Sequence, residues 1–246
     1  MQPLRTLAAV SLAPGLALAQ DAPREAPPPR GFGELPEDFG WLSNPEEAPD
    51  DPIEAVFGGK VHLDNRLRFE FAETDGRKPS YAVTNRTRLG YGTKPFLGLS
   101  GYVEMEALFP IDSDLYSVPP TGDGDPDRTV VPDPPDVQLN QAWGRYRRDG
   151  LFDTDARIEV TGGRQRIIHA DARFIGNVGW RQLEQTYDAI RTRLGFGDLT
   201  LGYAYVWGVE RIFGSDGPNW DSDSHFIRAE YVVARWLVVS PFVYLL

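Results

Sequence analysis

The stretch Lys60-Val-His-Leu-Asp-Asn-Arg-Leu-Arg-Phe-Glu-Phe-Ala72 restricts the possible folds more than any other part of the chain. Val61, Leu63, Leu67, Phe69 and Phe71 recur at every second position, and only Asn65 interrupts them. Lys60, His62, Asp64, Arg66, Arg68 and Glu70 occupy the alternate positions. A strand repeats every two residues, so one face is apolar and the other is dense in charge of both signs. A transmembrane β-barrel strand has this pattern, with lipid outside and a wet, charged lumen inside.

The same alternation returns along the chain between Gly, Pro and Asp clusters. The pattern predicts strands over residues 60–72, 80–92, 97–108, 137–147, 156–169, 182–194, 199–209, 223–233 and 236–246. Tight turns are expected near 93–96, 195–198 and 234–235, and long connections at 109–136, 170–181 and 211–222. That asymmetry matches short periplasmic turns and long external loops. Tyr81, Tyr91, Tyr102, Trp143, Trp207, Tyr231 and Trp236, near strand ends, suit interfacial girdles. A soluble sandwich would use the same aromatics as core.

The N-terminus fits export. Arg5 precedes an apolar run from Leu7 through Leu18, and Ala17-Leu18-Ala19 forms a small-x-small cleavage site. Residues 1–19 therefore read as a signal peptide. Residues 20–59 carry ten acidic residues against Arg24 and Arg30, with eight prolines among them. They read as a disordered, acidic, Pro-rich periplasmic leader, and residues 60–246 as the barrel domain. Past residue 19 no apolar run approaches the roughly 20 residues a spanning helix needs. Any crossing must be made by strands. The chain has no cysteine, which excludes disulfides and Cys-based metal sites.

Nine strands is an odd count for a single-chain bacterial barrel, which closes with an even number. The expectation is therefore an all-β, antiparallel transmembrane barrel of which about nine strands, roughly half, are present.

Several stretches carry a family resemblance. They are Arg164-Gln-Arg-Ile-Ile168, the run from Ala172 to Asp188, and Leu63-Asp-Asn-Arg-Leu-Arg-Phe-Glu70 after Gly59-Lys60. Thr84-Asn-Arg-Thr-Arg-Leu-Gly-Tyr91, Leu139-Asn-Gln-Ala142, Tyr203-Ala-Tyr205, Arg211-Ile-Phe-Gly214 and Asp223-Ser-His225 extend it. Over residues 59–246 the chain resembles the alginate export family of outer-membrane proteins. Residues His169-Ala170 depart from the apolar-acidic pair frequent in that family. The resemblance implies an outer-membrane barrel of about eighteen strands, so this chain would be its N-terminal half. It also implies a transport channel for alginate or another uronate polysaccharide.

Arginines dominate the expected lumenal face. Arg66, Arg68, Arg86 and Arg88 share one parity on adjacent strands, a geometry that attracts carboxylates and filters anions. Glu104 and Glu106 would pair with some of them, and Gln141, Trp143 and Arg145 are expected on the same face. Arg157 and Glu159 face the lumen if Ile158 and Val160 face lipid. Arg164 and Arg166 then have the wrong parity. A β-bulge at Gly162-Gly163 would turn both inward, avoiding about 2–4 kcal/mol for an arginine facing lipid near the midplane. Asp188 and Glu184 are expected as lumenal partners for Arg164 or Arg181. A purely structural reading has these charges only bracing a solvated wall.

Enzymatic readings are weak. His62, His169 and His225 show no metal-ligand spacing, and Ser224 and His225, adjacent on a strand, point to opposite faces. Asp123-Gly-Asp-Pro-Asp127 has a calcium-like rhythm, but Arg128 stands where the loop needs glycine. No catalytic residue, cofactor or metal is expected. The expected partners are outer-membrane lipid, an anionic polysaccharide or small anion, and periplasmic export machinery, with no nucleic acid. The expected location is the cell outer membrane. The alternatives are a general porin, or a non-conducting structural or receptor barrel with its lumen plugged by the 110–136 loop.

Overall fold

The computed structural model describes residues 49–234 and 236–246. The expected signal peptide and residues 20–48 of the leader lie outside them. The last residues of the expected disordered leader instead form a helix, α1 (Pro52–Phe57). Pro52 stands in the first turn, where a missing N–H costs nothing. The Asp51 carboxylate accepts from the Ile53 N–H at 2.9 Å, capping the helix.

The strands follow as β1 (Lys60–Ala72), β2 (Ser80–Gly92) and β3 (Leu99–Pro110). A small hairpin, β4 (Ser117–Val118) and β5 (Asp123–Gly124), sits inside the next long connection. Then come β6 (Asp136–Leu151), β7 (Ala156–Gln165), β8 (Thr186–Phe196) and β9 (Leu199–Glu210). β10 (Trp220–Ala234), β11 (Leu237–Val239) and β12 (Phe242–Leu245) complete the order. Apart from the β4–β5 hairpin they form one antiparallel ten-stranded sheet, β1-β2-β3-β6-β7-β8-β9-β10-β11, with β12 also pairing β10. The sheet is open: β1 lies at one edge, and β11 and β12 at the other.

Eight long strands therefore stand close to their expected positions. The ninth, expected over 236–246, is divided in two at Ser240-Pro241, where proline supplies no ladder N–H. β7 stops at Gln165 rather than 169, and β8 starts at Thr186 rather than 182. Gln182, Leu183 and Glu184 are all fully buried in succession, so they do not alternate as a strand would. Residues 166–185 are instead a strap folded across one face of the sheet.

Alternation sorts the side chains by face. On β1 and β2 the odd positions point outward, with Leu63, Leu67 and Leu89 exposed. The even positions point inward, with Arg68, Arg86 and Arg88 buried. On β6 a register shift opposite Glu104 and Met105 places Asn140 and Gln141 both inward. Beyond that bulge the inner row of β6 continues as Trp143 and Arg145.

Candidate functional site

The inner face of β1–β3 carries the first charge cluster, and the strap completes it. Arg66 and Arg86 stand directly opposite each other in the β1–β2 register. Arg66 donates to the Gln182 side chain at 2.7 Å and to the carbonyls of Gly179, Trp180 and Arg181. Arg68 donates to the Trp180 carbonyl at 2.7 Å, stacks 4.5 Å from the Trp180 ring centre, and pairs with Glu70. Arg86 pairs with Asp64, and Arg88 with Glu106 at 2.6 Å. Gln182 also donates to Thr84 Oγ1 at 2.8 Å, so one glutamine ties the strap to both β1 and β2.

Arg166 lies just past the end of β7, and leaving the sheet lets it turn inward without any bulge. It donates to both Glu184 oxygens at 2.6 and 2.7 Å and lies 3.4 Å from Glu104. Asn140 bridges Glu104 and Glu184 at 2.7 and 2.5 Å, while the Tyr102 hydroxyl donates to Glu104 at 2.7 Å. Burial alone would push the Glu184 carboxyl up. The charges of Arg166 and Arg88, with hydrogen bonds from Arg166 and Asn140, outweigh burial and bring it down to about 2. From the longer loop Asp133 adds another anchor. Its carboxylate accepts from the Gln182 N–H at 3.1 Å and lies 3.6 Å from Arg68. Five guanidinium groups (Arg68, Arg86, Arg88, Arg166, Arg181) thus pair with six carboxylates (Asp64, Glu70, Glu104, Glu106, Asp133, Glu184), and Arg66, held by Gln182 and strap carbonyls, is the sixth cation beside them. This cluster is electrically balanced.

The second cluster lies on β6–β8. Arg145, Arg191 and Arg193 converge on one inward carboxylate, Glu159, at 3.9, 3.9 and 3.3 Å. Arg145 Nη1 and Arg191 Nε are buried donors without an acceptor among the described residues.

The expected bulge at Gly162-Gly163 is absent. Both ladders run through these glycines in continuous register, with Arg164 opposite Ala142 on one side and Asp188 on the other. Arg164 and Asp188 therefore face outward, correcting their expected lumenal position. The lipid penalty assumed for Arg164 is met instead by partners on the same face. It donates to Asp188 at 2.9 and 3.0 Å and to Glu210 at 2.6 Å. Gly208 leaves room for this pair, since a Cβ there would stand 3.2 Å from Asp188 Oδ2.

Of the expected site residues, the structure gathers Arg66, Arg68, Arg86, Arg88, Arg166, Glu104 and Glu106 into one cluster, and Arg145 into the other. Sequence reasoning missed Gln182, Asp133, Arg191 and Arg193. Arg191-Thr-Arg193 repeats the spacing of Arg66-Leu-Arg68 and Arg86-Thr-Arg88, a signal available in the sequence. Ser224 is buried on the inner face and His225 lies on the outer one, hydrogen-bonded to Tyr203 at 2.8 Å. Among the described residues no group of three or more His, Cys, Asp or Glu side chains is placed to hold a metal ion.

Comparison with known families matches residues 63–206 to the model described as Alginate export. No curated protein and no solved structure gives a significant match.

Proposed function

The chain belongs to the alginate export family, a family of outer-membrane export channels, and from that premise we propose that it conducts an anionic solute across the outer membrane. A uronate polysaccharide such as alginate is the proposed solute class. The observation that carries the anionic preference is the pair of buried guanidinium donors without an acceptor among the described residues, Arg145 Nη1 and Arg191 Nε, on the inner face. Fixed guanidinium groups with unused donors offer carboxylates short-lived, multi-site contacts, as conduction requires. The arginines of the first cluster are bound by their own carboxylates and by strap carbonyls, and contribute less. Arg166 and Arg88 hold the strap over the inner face, where it narrows the path. The outer row of apolar side chains on the strands faces lipid in this reading.

Reversal potentials of the full-length protein in planar bilayers under a KCl gradient test it. Anion selectivity that falls in Arg191→Gln/Arg193→Gln and persists in Arg66→Ala is expected. Cation selectivity unchanged by the double substitution would refute the proposal.

The strap supports a second reading, a barrel that does not conduct while the strap is seated. Silence of the intact protein, with channels seen only after removal of residues 170–181, would favour it.

A further inference from the structure

Helix α1 is not accounted for by transport. A six-residue helix does not hold itself together in water, and α1 is fixed by contacts at the short-turn end of the sheet. The Tyr91 hydroxyl donates to the Val56 carbonyl and accepts from the Gly59 N–H at 3.0 Å. The Lys94 N–H donates to the Ala55 carbonyl at 2.9 Å, and its ammonium group pairs with Glu54 at 3.0 Å. Tyr91 belongs to the outward row of β2, so the helix is attached on the outer side of the rim.

Its exposed side chains are the wrong kind for water. Ala55 is buried, while Ile53, Val56 and Phe57 are 65%, 49% and 81% exposed. Positions i, i+3 and i+4 share one helix face, so the three form a single apolar stripe. The outward row continues from it with Val61 and Leu63 on β1 and Leu97 and Leu99 at the β2–β3 turn, all exposed. Under the channel reading above, that row is the lipid-facing belt.

We propose that α1 is an interfacial membrane anchor whose Ile53, Val56 and Phe57 lie in the lipid leaflet at the short-turn rim. The occupant is a lipid surface, because the stripe is continuous with the outer apolar belt and the helix is pinned through an outward tyrosine. Such helices lie in the plane of the interface with their apolar face among the upper acyl chains.

The absence of native cysteine makes the test direct. Nitroxide labels are placed singly at Phe57→Cys, Asp51→Cys and Leu63→Cys in the full-length protein, refolded into phosphatidylcholine vesicles. Collision with oxygen, enriched in lipid, is compared with collision with a water-soluble nickel chelate. The Phe57 label is expected to favour oxygen several-fold over the Asp51 label. A Phe57 label as open to nickel as Asp51 overturns the anchor, and so does one shielded from both reagents, which would mean protein covers the helix. The Leu63 label separates the two readings. If it too lies in water, the transmembrane reading fails; if it lies in lipid while Phe57 does not, only the anchor fails.

Discussion

Arg164 and Asp188 face each other across β7 and β8 on the outer side of the sheet, joined by two hydrogen bonds of 2.9 and 3.0 Å. Glu210, at the end of β9, accepts a third from the same guanidinium. Arg164→Leu leaves two carboxylates side by side without their cation. The side chains are about a fifth exposed, which softens the loss to about 2 kcal/mol, below that of a fully buried pair. Urea unfolding of the refolded protein reads this directly, and an Asp188→Asn change added to Arg164→Leu should recover part of the loss. No shift in the midpoint would mean the outer cluster contributes nothing.

What the sequence made legible was what depends on neighbours two residues apart. Alternation in β1 and β2 located the strands and sorted Arg66, Arg68, Arg86 and Arg88 onto one face. It failed where a contact spans the fold. Residues 182–184 fit a strand pattern, yet Gln182 is bound to Thr84 and Arg66, almost a hundred residues or more away. No local rule contains that pairing. Arg164 differs in kind: its parity points outward, and the cost of a lone charge facing lipid does not apply to one paired with Asp188 and Glu210 on the same face. Asp188 has the parity of Ile190 and Leu194, so the same alternation applied to β8 placed a partner on the outer face.

Gly162 and Gly163 differ in what their backbones require. Gly163 has φ +119°, and a Cβ there would meet the Ala142 carbonyl oxygen at 2.3 Å. Gly162 has neither constraint, with nothing within 4 Å of the same position. Gly163→Ala should cost roughly 1–3 kcal/mol, while Gly162→Ala should stay within about 0.5 kcal/mol of wild type. Parallel unfolding curves of the two variants check this, and equal midpoints would contradict it.

His169, in the strap, gives stability a dependence on acidity. Its Nδ1 lies 2.9 Å from the Tyr244 hydroxyl, and its ring stacks on Tyr244 and meets the edge of Phe226. Burial, then the charges of Arg228 and Arg191, lower its pKa from 6.5 to about 3. The folded state therefore favours the neutral ring. That contribution is complete above pH 6.5 and declines as pH falls towards about 3, by roughly 1.4 kcal/mol per pH unit within that window. His169→Phe removes the titration, so the stability difference between variant and wild type should slope between pH 6 and 4 and be level above pH 7. A level difference throughout would show that the histidine is not held neutral.

Glu184 should set the conditions under which the strap lets go. Its carboxylate is lowered to about 2 because Arg166 and Arg88 outweigh its burial, so its attachment is complete above the ordinary value of 4.5 and is lost between there and about 2. Conductance of the full-length protein should accordingly be steady from pH 8 to 5 and rise only on stronger acidification. Glu184→Gln keeps the shape but leaves Arg166 with an amide there and Glu104, at 3.4 Å, as its remaining charged partner, and should give raised or flickering conductance already at pH 7. Planar-bilayer recordings across this range decide the matter. If Glu184→Gln matches wild type at every pH, the Arg166–Glu184 pair is not the latch, and the strap must be held by Gln182 and the carbonyls around Arg66.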